Sequence, residues 1–343
     1  MNTLHILSSS SSPVHIDNRI DPFSIAVIKF VENMQKLGWN CIHYGIAGCD
    51  VPCETIVCLP NVYNDARENL KVYNTNAGIE IAKRKQAGDL IMCFHGHENQ
   101  AATIPNTDLI IVEPSIGYET SAIFAPYRVF VSQAQMHMFY GERKMLMNPS
   151  WFDAVIPNAF TPSEFEYSIK KKDYVLYFGR VIENKGIHIA IQATAKSGHK
   201  LIIAGPGNLA DLGYNEIPEH VTCVGLVNAE QRKELMRDAR AIIGPTYYVE
   251  PFGNMVVEGY FSGTPAITSD WGGFTETVVH GVTGFRCREF NDFVNALTSL
   301  WQIDPAVCRN WAWSNYEETV VHKQFDRYFK KLQSKDFYGG NKV

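Results

Sequence analysis

Two glutamates eight residues apart carry the strongest chemical signal in this chain. They are Glu250 and Glu258, in the run YYVEPFGNMVVEGYFSGTPAITSD. Eight helical steps turn about 800°, which returns to nearly the same face two turns on. Pro251 suits a first helical position. The spacing therefore predicts a helix from Pro251 to about Ser262, stopped by Gly263 and Pro265, with Glu250 at its entrance. Gly253 would let a ligand approach that first turn closely. The positive end of such a helix favours an anion such as a diphosphate, and the carboxylates could then accept hydrogen bonds from sugar hydroxyls. Taken alone, the same spacing also describes a surface helix with two solvated glutamates.

Two further clusters flank this one. Upstream, YVLYFGRVIENKGIHIAI sets Arg180 just after a buried strand and Lys185 and Gly186 at the opening of the next helix. Cations at the C-terminal edge of a parallel sheet are where phosphates bind in open α/β folds. Downstream, Gly272 and Gly273 in SDWGGFTETVVHGVTGF expose backbone N–H groups ahead of a short helix, a second anion cradle. AGPGNLA supplies Gly205, Gly207 and Ala210, which satisfy a dinucleotide fingerprint after a strand. Asn215 and Pro218 break the segment that follows, which argues against a nicotinamide dehydrogenase. His95, His97 and Glu98 adjoin one another in HGHEN, but three neighbouring ligands need partners elsewhere. No Asp-x-Asp occurs, and the eight cysteines contain no C-x-x-C pair, so no metal site is expected.

The elements that must position these residues follow an alternating pattern. In the C-terminal half, apolar runs at Tyr174 to Phe178, Lys200 to Ala204, Val221 to Val224, Arg240 to Gly244 and Pro265 to Ser269 read as strands. Asn228 with Gln231 makes a capping-box start for a helix to about Arg237. Strands apolar on both faces, separated by helices, imply a parallel sheet covered on both sides. The N-terminal half shows the same alternation less regularly, with Thr3 to Leu7, a helix from Pro22 to Leu37, WNCIHYG, Leu90 to Phe94, Asp108 to Val112 and Tyr127 to Ser132. The fold class expected is α/β, with domains at 1–162 and 173–310. The polar stretch from Pro162 to Asp173, with Lys170, Lys171 and Lys172, reads as a solvated linker. An amphipathic helix over 311–333 is expected to join the first domain.

Composition narrows the function classes. The chain has 343 residues and a net charge of −5, a poor basis for wrapping nucleic acid. No run approaches the roughly 18 apolar residues of a membrane span. The helix from Pro22 carries only Lys29 and Lys36 as basic residues, which does not suggest membrane docking. The start, MNTLHILSSS, lacks the basic region of a secretory signal. Cys58, Cys93 and Cys223 sit in apolar runs as buried free thiols do, so a reducing, cytoplasmic location is expected.

The three clusters, in this order, resemble retaining nucleotide-sugar glycosyltransferases of the GT-B fold, glycosyltransferase family 4 (glycosyl transferases group 1). The resemblance covers about Asp153 to Phe285. It rests on VIPNAF, FGR, ENKG, AGPG, EPFG with its second glutamate, GGFTE and HGVTGF. It implies two Rossmann-like domains with parallel sheets facing across a cleft that holds the site. It also implies that Arg180 and Lys185, with Gly253 close by, bind the donor diphosphate. Glu250 would hold the transferred sugar and Glu258 the ribose, while Gly205, Gly207 and the stretch from Gly225 to Val227 would line the base pocket. His95 stands where relatives present a histidine to the donor sugar; a structural histidine capping its strand is the alternative. Many relatives have a Gly-Gly pair after the first strand, where this chain has SSSSSPVHIDNRIDPFS. The implied donor is a nucleotide-diphosphate sugar, UDP- or GDP-linked, used without metal or other cofactor. The acceptor would be a glycan, a lipid-linked molecule or a small molecule. The competing non-enzymatic reading is a catalytically silent GT-B module that binds nucleotide or glycan.

Overall fold

The structure is a computed structural model that describes residues 2–15, 22–114, 119–145, 147 and 150–334. The chain divides into two compact units. One holds the residues up to Val131, Met136–Pro157 and those from Glu318 on; the other holds Ser132–Gln135 and Asn158–Glu317.

The first unit runs β1 (Thr3–Leu7), α1 (Pro22–Lys36), β2 (Asn40–Ile46), β3 (Glu54–Leu59), α2 (Ala66–Arg84), β4 (Leu90–Cys93), α3 (Gln100–Thr103), β5 (Ile110–Pro114), β6 (Tyr127–Phe130), α4 (Gln133–Glu142) and β7 (Ala154–Val155). The seven strands pair in the order β3-β2-β1-β4-β5-β6-β7, all parallel. Leu7, Tyr44, Ile46, Tyr73, Ile81, Ile91 and Ile111 belong to one buried cluster, which joins the sheet to α2. Removing such side chains from water is the main stabilising term, at roughly 1.5–3 kcal/mol each.

The second unit runs β8 (Val175–Phe178), α5 (Ile187–Ser197), β9 (Leu201–Ala204), β10 (Val221–Gly225), α6 (Ala229–Asp238), β11 (Ala241–Gly244), α7 (Asn254–Phe261), β12 (Ala266–Ser269), α8 (Phe274–Thr277), β13 (Gly284–Cys287), α9 (Phe290–Thr298) and α10 (Pro305–Tyr316). Its strands, also all parallel, pair as β10-β9-β8-β11-β12-β13. Helix α6 begins at the expected capping box of Asn228 and Gln231.

Three local expectations change. The tail is two helices: the chain is extended at Glu317 (φ −62°, ψ 138°), which ends α10, and α11 (Glu318–Ser334) follows. Helix α11 packs in the first unit, where Phe325 and Phe329 meet Phe30 edge-on and Asp326 accepts from the Trp39 indole. The stretch Pro162 to Asp173 falls within the second unit. Lys171 Nζ donates to the carbonyls of Arg237 and Ser262 at the ends of α6 and α7 and to Thr264 Oγ1, and burial pulls its ammonium down to about 8. Lys172 pairs with Asp238 at 2.6 Å, so the stretch is fastened to the second unit although Lys170 and Lys172 themselves face solvent. Finally, Cys58 and Cys93 are buried but Cys223 is exposed, because β10 is an edge strand with one end alone covered.

Candidate active site

Both sheets reverse their strand order beside their first strand. In the second unit the chain goes from β8 outward to β9 and β10, then returns to β11 on the other side of β8. The C-terminal ends of β8 and β11 therefore flank a crevice, the usual ligand position in open α/β sheets. Arg180 lies two residues past β8 and is exposed. Lys185 ends a short 3-10 turn, and Gly186, left-handed at φ +70°, starts α5. A side chain at Gly186 is excluded: its Cβ would stand 1.8 Å from the Pro245 carbonyl oxygen. That contact, with Tyr247 N–H donating to Asn184 O at 2.8 Å, binds the loop after β8 to the loop after β11.

The two loops bring Lys185 and Glu250 together. Lys185 Nζ donates to Glu250 Oε2 at 2.7 Å, with both side chains mostly covered. Tyr248, which the sequence pattern does not single out, completes the group. Its phenol donates to the same Oε2 at 2.5 Å, and the Lys185 ammonium lies 4.8 Å from its ring centroid. Burial and the Glu250 carboxylate push the Tyr248 phenol well above its ordinary range, so it stays protonated and donates. The backbone of Glu250 is held from the far side by the glycine pair. Gly273 N–H donates to Glu250 O at 2.6 Å, and a Cβ on Gly272 would stand 2.8 Å from Glu250 N. The Gly-Gly turn thus seats the glutamate.

The helix expected from Pro251 starts three residues later. Gly253 is its left-handed N-cap at φ +87°, and the first helical residue is Asn254. Glu250 is therefore off the helix, and the two glutamates do not share a helical face. The reason lies in packing: a Cβ at Gly253 would be 2.3 Å from the Phe274 ring, so the chain turns sharply before α7. Glu258 lies inside α7 with its side chain 13% exposed, 3.5 Å from Arg232 Nη1 of α6. That guanidinium also lies over the Phe165 ring, so Glu258 is held in place and not simply solvated.

Gly205 and Gly207 follow β9. A Cβ on Gly205 would meet Gly179 O at 2.0 Å, and one on Gly207 would meet Val181 O at 2.6 Å. Gly205 N–H donates to Gly225 O, and Val181 N–H to Pro206 O, each at 2.8 Å. These glycines let three strand-end loops lie side by side, the Arg180 loop among them. Val227 follows, half-buried, beside an exposed Leu226.

In the first unit the order reverses at β1, between β2 and β4. The serine loop follows β1, and His95 lies two residues past β4. Its N–H donates to Asn99 Oδ1 at 2.9 Å, and its half-buried ring stands 5.1 Å from that of Phe23. Ser8 is fully committed to its own unit: Tyr73 Oη accepts from its N–H, Asn99 Nδ2 donates to its carbonyl, and its hydroxyl lies 2.9 Å from His43 Nε2. Residues 16–21 of this loop lie outside the described residues. Among the described residues no group of three His, Cys, Asp or Glu side chains could hold a metal ion, His97 and Glu98 included.

Residues 161–312 match the family model described as glycosyl transferases group 1. HepE of Anabaena, solved in complex with UDP and glucose, superposes with a TM-score of 0.70 at 17% identity, covering 97% of this chain and 100% of that one. The fold is GT-B, with two Rossmann-like α/β units. An uncharacterized glycosyltransferase, MJ1607 of Methanocaldococcus jannaschii, is 31% identical over 186 residues, 47% of this chain and 46% of the relative. Glycogen synthase of Mycobacterium tuberculosis is 33% identical over 150 residues, 40% of this chain and 36% of the relative. The chain thus spans less than half the length of these curated relatives in alignment.

Proposed function

We propose that this protein is a retaining glycosyltransferase of family 4 type that moves a sugar from a nucleotide diphosphate to an acceptor hydroxyl without a metal ion. The observation that carries the reading is the convergence of Lys185, Glu250 and Tyr248 beside Arg180 at the switch point of the second sheet, inside the matched segment. Arg180 and Lys185 stabilise the leaving diphosphate, the task a divalent ion performs in other transferases. The loop of Gly205 and Gly207 and the stretch to Val227 receive the base, and Glu258, braced by Arg232, receives the ribose. Glu250 takes the sugar as it gains oxocarbenium character. Retention without an assigned nucleophile fits attack from the face the diphosphate leaves. The acceptor is a glycan, a lipid-linked molecule or a small hydroxyl compound, and eight free thiols suit a cytoplasmic setting.

UDP-glucose is the first donor to try, given UDP and glucose in HepE. Thermal-shift measurements with UDP, GDP, ADP and dTDP and their common sugars test the reading. A ligand at 100 times its dissociation constant stabilises by about 2.7 kcal/mol. The expected result is a shift with one nucleotide, with slow release of its sugar to water. Binding without sugar release would favour a silent module instead, and no shift with any nucleotide would overturn the transferase reading.

A further inference from the structure

We infer that Tyr248 is a positioning residue that keeps Glu250 oriented toward the sugar when Lys185 turns to the donor diphosphate. The inference rests on the proposed transferase reading and concerns the same site. Both hydrogen bonds described for the Glu250 carboxylate fall on Oε2, one from Lys185 and one from Tyr248. That leaves the carboxylate's other oxygen, Oε1, for the sugar. A diphosphate carries more negative charge than a carboxylate and competes directly for the compact ammonium of Lys185. As Lys185 is drawn away, Glu250 loses one of its two anchors. A half-buried carboxylate left with no anchor is free to change rotamer, and that change removes the sugar contact.

Tyr248 is built to stay. Its phenol is protonated, so its bond to Oε2 survives the departure of Lys185. Its backbone carbonyl accepts from the Trp271 indole at 3.1 Å and lies 3.4 Å from Thr246 Oγ1. Its ring offers Lys185 a face to slide on, 4.8 Å from the ammonium, rather than a second carboxylate to hold it back. Tyr248 thus separates two tasks that share one oxygen: Lys185 is released to the phosphates while Glu250 remains.

Tyr248→Phe tests this, because it keeps the ring and removes only the hydroxyl. The probes are UDP and UDP-glucose, or the GDP pair if screening selects it. The expected result is a bare-nucleotide affinity within about threefold of the parent and a donor turnover lower by roughly 10-fold or more, the worth of a hydrogen bond to a charged group. In a Glu250→Gln background the same change should cost less than about twofold, since the carboxylate it orients is gone. A Tyr248→Phe enzyme that turns over like the parent overturns the inference. So does one whose loss is undiminished in the Glu250→Gln background, which marks a general structural defect. If the parent itself neither binds nucleotide nor releases sugar, the transferase reading fails and this inference with it.

Discussion

Lys185 faces two anions in the proposed reaction, and one of them is already its neighbour. The Glu250 carboxylate at 2.7 Å competes with any incoming diphosphate for the same ammonium. Removing that charge should therefore leave bare nucleotide affinity no weaker than the parent, while turnover falls by about 10- to 150-fold, the range for a hydrogen bond to a charged group. Lys185→Met should do the reverse to binding, weakening UDP or GDP by about 10-fold or more. Isothermal titration of Glu250→Gln and Lys185→Met beside a turnover assay reads both. A Glu250→Gln variant that binds nucleotide tenfold more weakly would remove Glu250 from the sugar and place it on the nucleotide. Lys185 and Glu250 are legible in the sequence because charged residues beside glycines at strand ends stand out. Tyr248 is not, because tyrosines before a valine read as packing. The signal that could have found it is its position two residues from a carboxylate that needs a donor.

At the scale of elements, the glycines divide into those that turn the chain and those that let loops touch. Gly186 and Gly198 share nearly the same backbone, φ +70° and +73°, but a Cβ at Gly186 meets the Pro245 carbonyl at 1.8 Å while Gly198 has open space. Gly198→Ala should cost only about 1 kcal/mol. Gly186→Ala should cost more than about 3 kcal/mol, roughly 6–12 °C in Tm, because two site loops must part. Equal melting shifts for the two would show that the loop contact is unimportant. The buried polar layer of the first unit gives a pH prediction. His43 on β2 is held near 4 by burial, and burial, partly offset by Asp89, also lowers His5 on β1. A histidine whose folded pKa lies below its unfolded value of about 6.5 stabilises the neutral form. Its contribution is present above that value and is lost as pH falls toward 4, on the order of 3 kcal/mol for His43. Tm should thus fall from pH 7.5 to pH 5, and less steeply in His43→Gln; a Tm that rises on acidification would contradict this. Strand and helix alternation is legible in the second unit, where apolar runs are continuous. Helix α2 is not, since its buried face carries Asn69 and Asn74 among Tyr73, Ala77 and Ile81. Those asparagines serve loops: Asn69 bonds both backbone groups of Tyr63, and Asn74 bonds Glu98 O and Ala102 N. Polar residues that satisfy backbone inside a helix interface erase the apolar stripe.

Across the whole molecule, the two units share one plan: a parallel sheet that reverses at its first strand, with the candidate site residues in loops at that reversal. The plan is legible as two α/β sheets, but the reversal is not, because strand order depends on pairing that local pattern does not encode. The boundary between the units also differs from the one the sequence pattern implies. Lys171, in a run that reads as a solvated linker, instead caps two helix ends, and the second unit takes in Asn158 onward. In the proposed reaction cations take the place of a metal ion, so sugar release should persist in excess EDTA. The most direct test of the central claim is proton NMR of the full chain with its preferred nucleotide sugar in EDTA, recorded before the product mutarotates. The account predicts release of free sugar, or transfer to an added acceptor, with the donor's anomeric configuration retained. An inverted product, or release that stops in EDTA and resumes with Mg²⁺ or Mn²⁺, would contradict it.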